Sequence, residues 1–112
     1  MTESLQAILR VADANRAAAW YARLGFAKEW EHRFAPTLPA FVSVVRGPLR
    51  IFLSEHEGDA TPNTLLYMWV DDLDAIASVF GVKPARARWD DDVREVELSD
   101  PDGNRLRIGQ QS

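Results

Sequence analysis

No cysteine occurs in the 112 residues, so disulfides, thiolate metal sites and a thiol nucleophile are excluded. Histidine is almost as scarce, with only His32 and His56 present. One falls in a candidate strand and the other in a polar stretch, so each reads as a structural or solvent-exposed group rather than a ligand. Basic residues are outnumbered by acidic ones, 13 against 17, for a formal charge of −4. Nucleic acid and anionic membranes both demand a basic field, so nonspecific binding to either is disfavoured, whereas a cationic ligand would be attracted. Mild acidity also serves solubility alone. Long apolar runs are missing: nothing approaches the roughly 20 residues of a membrane span. The opening MTESLQAILRVAD has no basic segment leading into an apolar one, so the expected address is cytoplasmic.

What is present is the balance of a globular fold, 46% apolar and 27% charged. The length suits one domain, which buries roughly two-thirds of its unfolded surface and has little area left for a deep enclosed pocket. A site shared between subunits would relieve that limit.

Residues Leu5 to Val11 alternate, with Leu5, Ala7, Leu9 and Val11 on one face and Gln6, Ile8 and Arg10 on the other, which predicts a strand. Asp13 can cap a helix in which Ala17, Trp20, Tyr21 and Leu24 share a face, and Gly25 can end it. Strands are predicted over Phe26 to Phe34, Ala40 to Arg46 and Leu49 to Ser54, punctuated by TLP and by Gly47-Pro48. The first half therefore reads βαβββ, over residues 1–54. EHEGDATPN, residues 55–63, is polar and aperiodic and reads as a linker.

The same grammar then repeats over residues 64–112. Thr64 to Val70 is strand-like; Asp71 or Asp72 can cap a helix whose Leu73, Ile76, Ala77 and Phe80 share a face; Gly81 ends it. Strands follow around Ala85 to Trp89, over Val93 to Ser99 and over Arg105 to Gly109, the last two joined by the turn Asp100-Pro101-Asp102-Gly103-Asn104. Val11-Ala12-Asp13 and Val70-Asp71-Asp72 are equivalent junctions about half a chain apart, and such self-similarity dictates architecture.

The two modules, the junctions VADANRAAAWYARLGF and MWVDDLDAI, and the closing SDPDGNRLRIGQ together resemble the glyoxalase, bleomycin-resistance and extradiol-dioxygenase superfamily, the vicinal-oxygen-chelate fold. The likeness covers nearly the whole chain. It implies an α+β fold in which the modules form a curved mixed sheet with helices on the convex side and a ligand or metal site on the concave side, paired in a homodimer. Period-two facing then puts Leu65, Tyr67 and Trp69 on the concave side, with Leu66, Met68 and Val70 toward the helix.

The resemblance implies metal ligands at three positions, read here as Gln6, Leu65 and Arg107. Gln6 has a lone pair to offer; leucine and a guanidinium have none. A divalent ion would also meet like-charge repulsion from Arg107. No metal, cofactor or catalytic residue is therefore expected. Glu95, Glu97, Arg105 and Arg107 fall on one face, either as cross-strand ion pairs in the space of a metal or as a solvated charged surface.

Aromatics take the place of ligands. Tyr67 and Trp69 share a face, Trp30 and Phe34 share another with His32, and Trp89 precedes Asp90-Asp91-Asp92. Aromatic faces beside carboxylates suit a planar heteroaromatic carrying a cation. LRIFLSEHEGD, PNTLLYMWVDDLD and VREVELSDPDGN resemble segments of bleomycin-resistance proteins, which implies sequestration of a bleomycin-like drug at a dimer interface with no bond broken. The expected ligand-binding set is Trp30, Phe34, Tyr67, Trp69, Trp89, Asp92, Glu95, Glu97 and Arg107. Packing across a dimer interface would equally occupy Trp30, Phe34 and Trp89. Two other readings compete: a lyase or dioxygenase with an altered metal site around Gln6, and a pairing module with a vestigial cavity.

Overall fold

A computed structural model describes residues 2–112. The element order is β1 (Ala7–Arg10), α1 (Ala14–Arg23), β2 (Ala27–His32), β3 (Phe41–Arg46), β4 (Leu49–Ser54), β5 (Leu65–Trp69), α2 (Leu73–Phe80), β6 (Ala85–Arg86), β7 (Val93–Ser99) and β8 (Arg105–Gln111). This is βαβββ twice, forming two four-stranded mixed sheets of order β1-β4-β3-β2 and β5-β8-β7-β6. In each sheet the strand before the helix runs parallel to the last strand of its module, and the other neighbours are antiparallel. The chain divides into two compact units, Met1–Thr64 with Asp100–Asn104, and Leu65–Ser99 with Arg105–Ser112.

In the first unit, Asp13 starts α1 by accepting from the backbone N–H groups of Asn15 and Arg16, donors a helix cannot satisfy within itself. Glu55 adds a second anion there: one oxygen accepts from Ala14 N–H at 2.8 Å and the other from Ala40 N–H at 3.0 Å. The expected linker is thus tied down at its first residue. Ala17, Tyr21 and Leu24 are buried, as are Leu9, Val11, Val42, Val44 and Leu53. Burying a leucine or valine is worth about 1.5–3 kcal/mol, and α1 supplies the covering face.

Three boundaries differ from the sequence expectation. Leu5 is 95% exposed and precedes β1, so it takes no part in the helix-facing set. Strand β2 stops at His32 because the Arg33 guanidinium turns back to the carbonyls of Pro36 and Leu38, which leaves Phe34 outside the sheet. The predicted strand from Ala85 to Trp89 contracts to Ala85–Arg86. There the Asp90 carboxylate accepts from Asp92 N–H at 2.9 Å, an Asx turn that bends the chain out of the ladder.

The turn joining β7 to β8 carries the most concentrated polar packing. Asp100 and Asn104 are buried. Asp100 Oδ1 accepts from the backbone N–H groups of Asp102 and Asn104, and Oδ2 from the Asn104 amide and the Tyr21 hydroxyl. Asn104 also donates to the Arg10 carbonyl and accepts from Thr64 N–H. Burial first, and then the Asp100 carboxylate, push the Tyr21 phenol well above its ordinary range. Gly103 takes φ +84° with the Asn63 amide oxygen against the place of a Cβ, so the glycine there is required twice over.

Candidate functional site

The second unit exposes one face of its sheet and covers the other. Met68, Val96, Leu98, Leu106 and Ile108 are buried, while Tyr67, Trp69 and Trp89 keep 37%, 47% and 58% of their surface. Alternation from the sequence assigns these faces correctly. The register places Tyr67 beside Arg107, Trp69 beside Gly109, and Glu95 across from Gly109. Three aromatic rings therefore converge on β8 from both sides. Centroids lie 5.0 Å apart for Tyr67 and Trp69, 6.1 Å for Tyr67 and Trp89, and 6.0 Å for Trp69 and Trp89, all tilted or edge-on. Such pairs contribute about 0.5–1.5 kcal/mol each beyond area burial.

Glu95 pins this cluster. A single oxygen, Oε2, accepts from the Tyr67 hydroxyl at 2.7 Å and from Trp89 Nε1 at 2.9 Å. To reach it, the Tyr67 ring passes directly over Gly109, where a Cβ would collide with the phenol oxygen. Partial burial, and then the bond to Glu95, push the Tyr67 phenol up to about 12. Next along β7, Glu97 takes Arg107 at 3.1 Å and Arg105 at 3.4 Å. The Arg107 hydrogen bond leads in holding the Glu97 carboxyl below the usual range.

Beside the cluster lies an open crevice of about 490 Å³ whose lining includes Arg86, Arg88, Trp89, Glu95, Glu97 and Arg107. A smaller depression of about 260 Å³ lies at Trp69, Val70, Asp71, Gln110 and Gln111; there Gln110 Oε1 accepts from Leu73 N–H and caps α2. Of the expected ligand-binding set, Trp89, Glu95, Glu97 and Arg107 line the larger crevice, with Tyr67 and Trp69 in ring contact with Trp89. Asp92 is not in its lining.

The first unit carries Trp30 in an aromatic group of its own. Trp30 stacks on Phe41 at 6.0 Å and lies 5.6 Å from Phe52, with Phe41 and Phe52 5.3 Å apart. A bulge between Lys28 and Trp30 shifts the register. Glu29, the residue within it, takes Arg50 at 2.7 Å and Ser43 at 3.0 Å. Phe34 is 78% exposed and makes an edge contact with His32 at 4.8 Å.

A family model described as glyoxalase superfamily protein matches residues 1–112. The chain belongs to the glyoxalase superfamily. Solved structures share the fold across their whole length. A bleomycin-binding protein complexed with bleomycin is 22% identical, with 99% of this chain and 100% of that one covered at a TM-score of 0.73. A bleomycin resistance determinant encoded on the transposon Tn5 is 23% identical, with 99% of each covered and a TM-score of 0.75. TnmS3, an antibiotic binding protein from Streptomyces sp. CB03234, is 20% identical, with 100% of this chain and 98% of that one covered and a TM-score of 0.78. No curated protein matches the chain.

Within a glyoxalase superfamily fold, the positions read from the sequence as metal-ligand equivalents do not fit a divalent ion. The Gln6 amide donates to the Ser4 hydroxyl at 3.0 Å, Leu65 has no donor atom, and Arg107 is a cation paired with Glu97. Among the described residues no group of three or more His, Asp or Glu is placed to hold a metal.

Sequence reasoning missed the role of Gly109, the double acceptance by Glu95 and the Phe41–Phe52 pair. The last had a signal, because Phe41 and Phe52 alternate with the buried Val42, Ile51 and Leu53. The others depend on which side chains distant segments bring beside β7 and β8, Tyr67 of β5 over Gly109 and Trp89 onto Glu95, and spacing along the chain does not encode that.

Proposed function

We propose that this superfamily member binds and sequesters a planar aromatic small molecule without breaking a bond, with antibiotics of the bleomycin type as first candidates. The observation that carries the reading is the tilted cluster of Tyr67, Trp69 and Trp89 beside the crevice, half-exposed, with Tyr67 and Trp89 held by Glu95. Rings fixed before a ligand arrives lose little freedom on binding it, which is how a preformed aromatic surface gains affinity. The similar structures that bind bleomycin or another antibiotic point the same way. Metal is not needed in this reading, since the binding groups are rings and ion-paired side chains.

Bleomycin titrated against tryptophan fluorescence tests it. Saturable quenching is expected from Trp69 and Trp89 and should weaken at least tenfold in Trp89→Ala. Unchanged emission up to high micromolar drug removes bleomycin as the ligand. The protein is further proposed to act as a homodimer, as its exposed aromatics suit. Sedimentation equilibrium should give twice the chain mass, and a monomer at micromolar concentration would refute the pairing.

A further inference from the structure

Where β5 and β8 end side by side, the second unit carries a depression distinct from the crevice. Trp69, Val70, Asp71, Gln110 and Gln111 line its volume of about 260 Å³. Trp69 closes β5 beside Gly109, and Val70 N–H still donates to the Gly109 carbonyl at 2.9 Å. Two residues further along β8, Gln111 shares the face of Gly109 and therefore of Trp69. Gln110 points to the other face, where its Oε1 accepts from Leu73 N–H, while the Asp72 carboxylate accepts from Ala75 N–H. The start of α2 is thus already supplied with acceptors. The Asp71 carboxylate and the Gln111 amide, in contrast, make no hydrogen bond or ion pair among the described residues. Trp69 meets Tyr67 and Trp89 by ring contact and keeps 47% of its surface, so it borders both the aromatic cluster and the depression.

We infer that this depression is a carbohydrate subsite, which seats a sugar ring against Trp69 with its hydroxyls on Asp71 and Gln111. It rests on the aromatic-binding reading above in one respect: the sugar is carried by the aromatic group that the ring cluster holds. Every sugar hydroxyl is at once a donor and an acceptor. Asp71 offers acceptors only, Gln111 offers both, and the Gln110 nitrogen adds a donor, so together they match hydroxyls in either sense. An anion would meet the Asp71 carboxylate at this spot and find the α2 N–H groups taken. The face of an indole is its negative side and attracts the polarised C–H groups of a sugar ring. Sites that enclose a whole drug-sized ligand span roughly 300–1,000 Å³, so the smaller depression suits a single ring of a larger molecule.

Calorimetric titration of the full chain with 2-naphthol, 2-naphthyl β-D-glucopyranoside and 2-naphthyl β-D-galactopyranoside tests this. The better glycoside should bind roughly tenfold more tightly than naphthol. Raising salt should leave that advantage intact, because all three probes are uncharged at neutral pH. Asp71→Ala with Gln111→Ala should level glycoside and naphthol and leave naphthol's own affinity unchanged, with a circular dichroism spectrum matching the parent. Gln111→Ala alone, at the last residue of β8, should already remove part of the advantage and serves if the pair does not fold. Glycosides that bind no better than naphthol, or an advantage that survives these variants, overturn the inference and leave aromatic binding standing. Glycoside binding that the variants abolish, with no binding of naphthol or bleomycin, keeps the sugar subsite and removes the aromatic-binding reading. Failure of every probe and of bleomycin removes both.

Discussion

Gly109 matters for what it lacks. A methyl at this position meets the Tyr67 phenol, so Gly109→Ala should push the ring off Glu95 while the buried neighbours Leu106 and Ile108 hold the strand. The effect is visible in ionisation. Only two tyrosines are present, and both phenols sit above their ordinary value of 10.0, Tyr67 at about 12 and Tyr21 further up. Absorbance at 295 nm should therefore show no tyrosinate through pH 10 to 11 in the native protein and two in urea. In Gly109→Ala one tyrosine should return to titrate near 10. A native protein that yields tyrosinate at pH 10 contradicts the Tyr67–Glu95 bond. The linkage follows in sign: the folded state binds more phenolic protons than the unfolded one between pH 10 and 12, so stability falls as pH rises through that window.

Among elements, the turn from Asp100 to Asn104 is the most exacting. Asn104→Ala strips partners from the Arg10 carbonyl, Thr64 N–H and one Asp100 oxygen. Leaving a buried polar group unpaired costs about 1–3 kcal/mol. Urea denaturation should show that loss, and a change below about 0.5 kcal/mol would mean that the network does not hold the turn. The sequence revealed the turn from Pro101 and Gly103, because turn chemistry is local. It did not reveal the reach of Asp100 to Tyr21, because that contact spans most of the chain. The same division holds for the sheets. Strand faces were legible from alternation at Leu65 to Trp69 and Val93 to Ser99, since one face is buried and a one-residue slip would invert it. The bulge at Glu29, which places that carboxylate beside Ser43 and Arg50, left no mark in the pattern. Alternation predicts β6 through Trp89 because it cannot register an Asx turn at Asp90.

For the whole molecule, two copies of one βαβββ grammar build two sheets, and each keeps an aromatic group on its open side: Trp30, Phe41 and Phe52 in one, Tyr67, Trp69 and Trp89 in the other. In both, a glutamate is ion-paired to an arginine nearby, Glu29 to Arg50 and Glu97 to Arg107. Such exposed pairs contribute little to stability, so their consequence is to fix charge around the rings rather than to hold the fold. Binding without chemistry is the function proposed for this superfamily member. Calorimetric titration of bleomycin into metal-free protein, followed by recovery of the drug, tests that most directly. The prediction is saturable heat at a fixed stoichiometry, abolished in Trp69→Ala with Trp89→Ala, and drug recovered intact. Absence of heat, heat that survives loss of both tryptophans, or a chemically altered drug would contradict it.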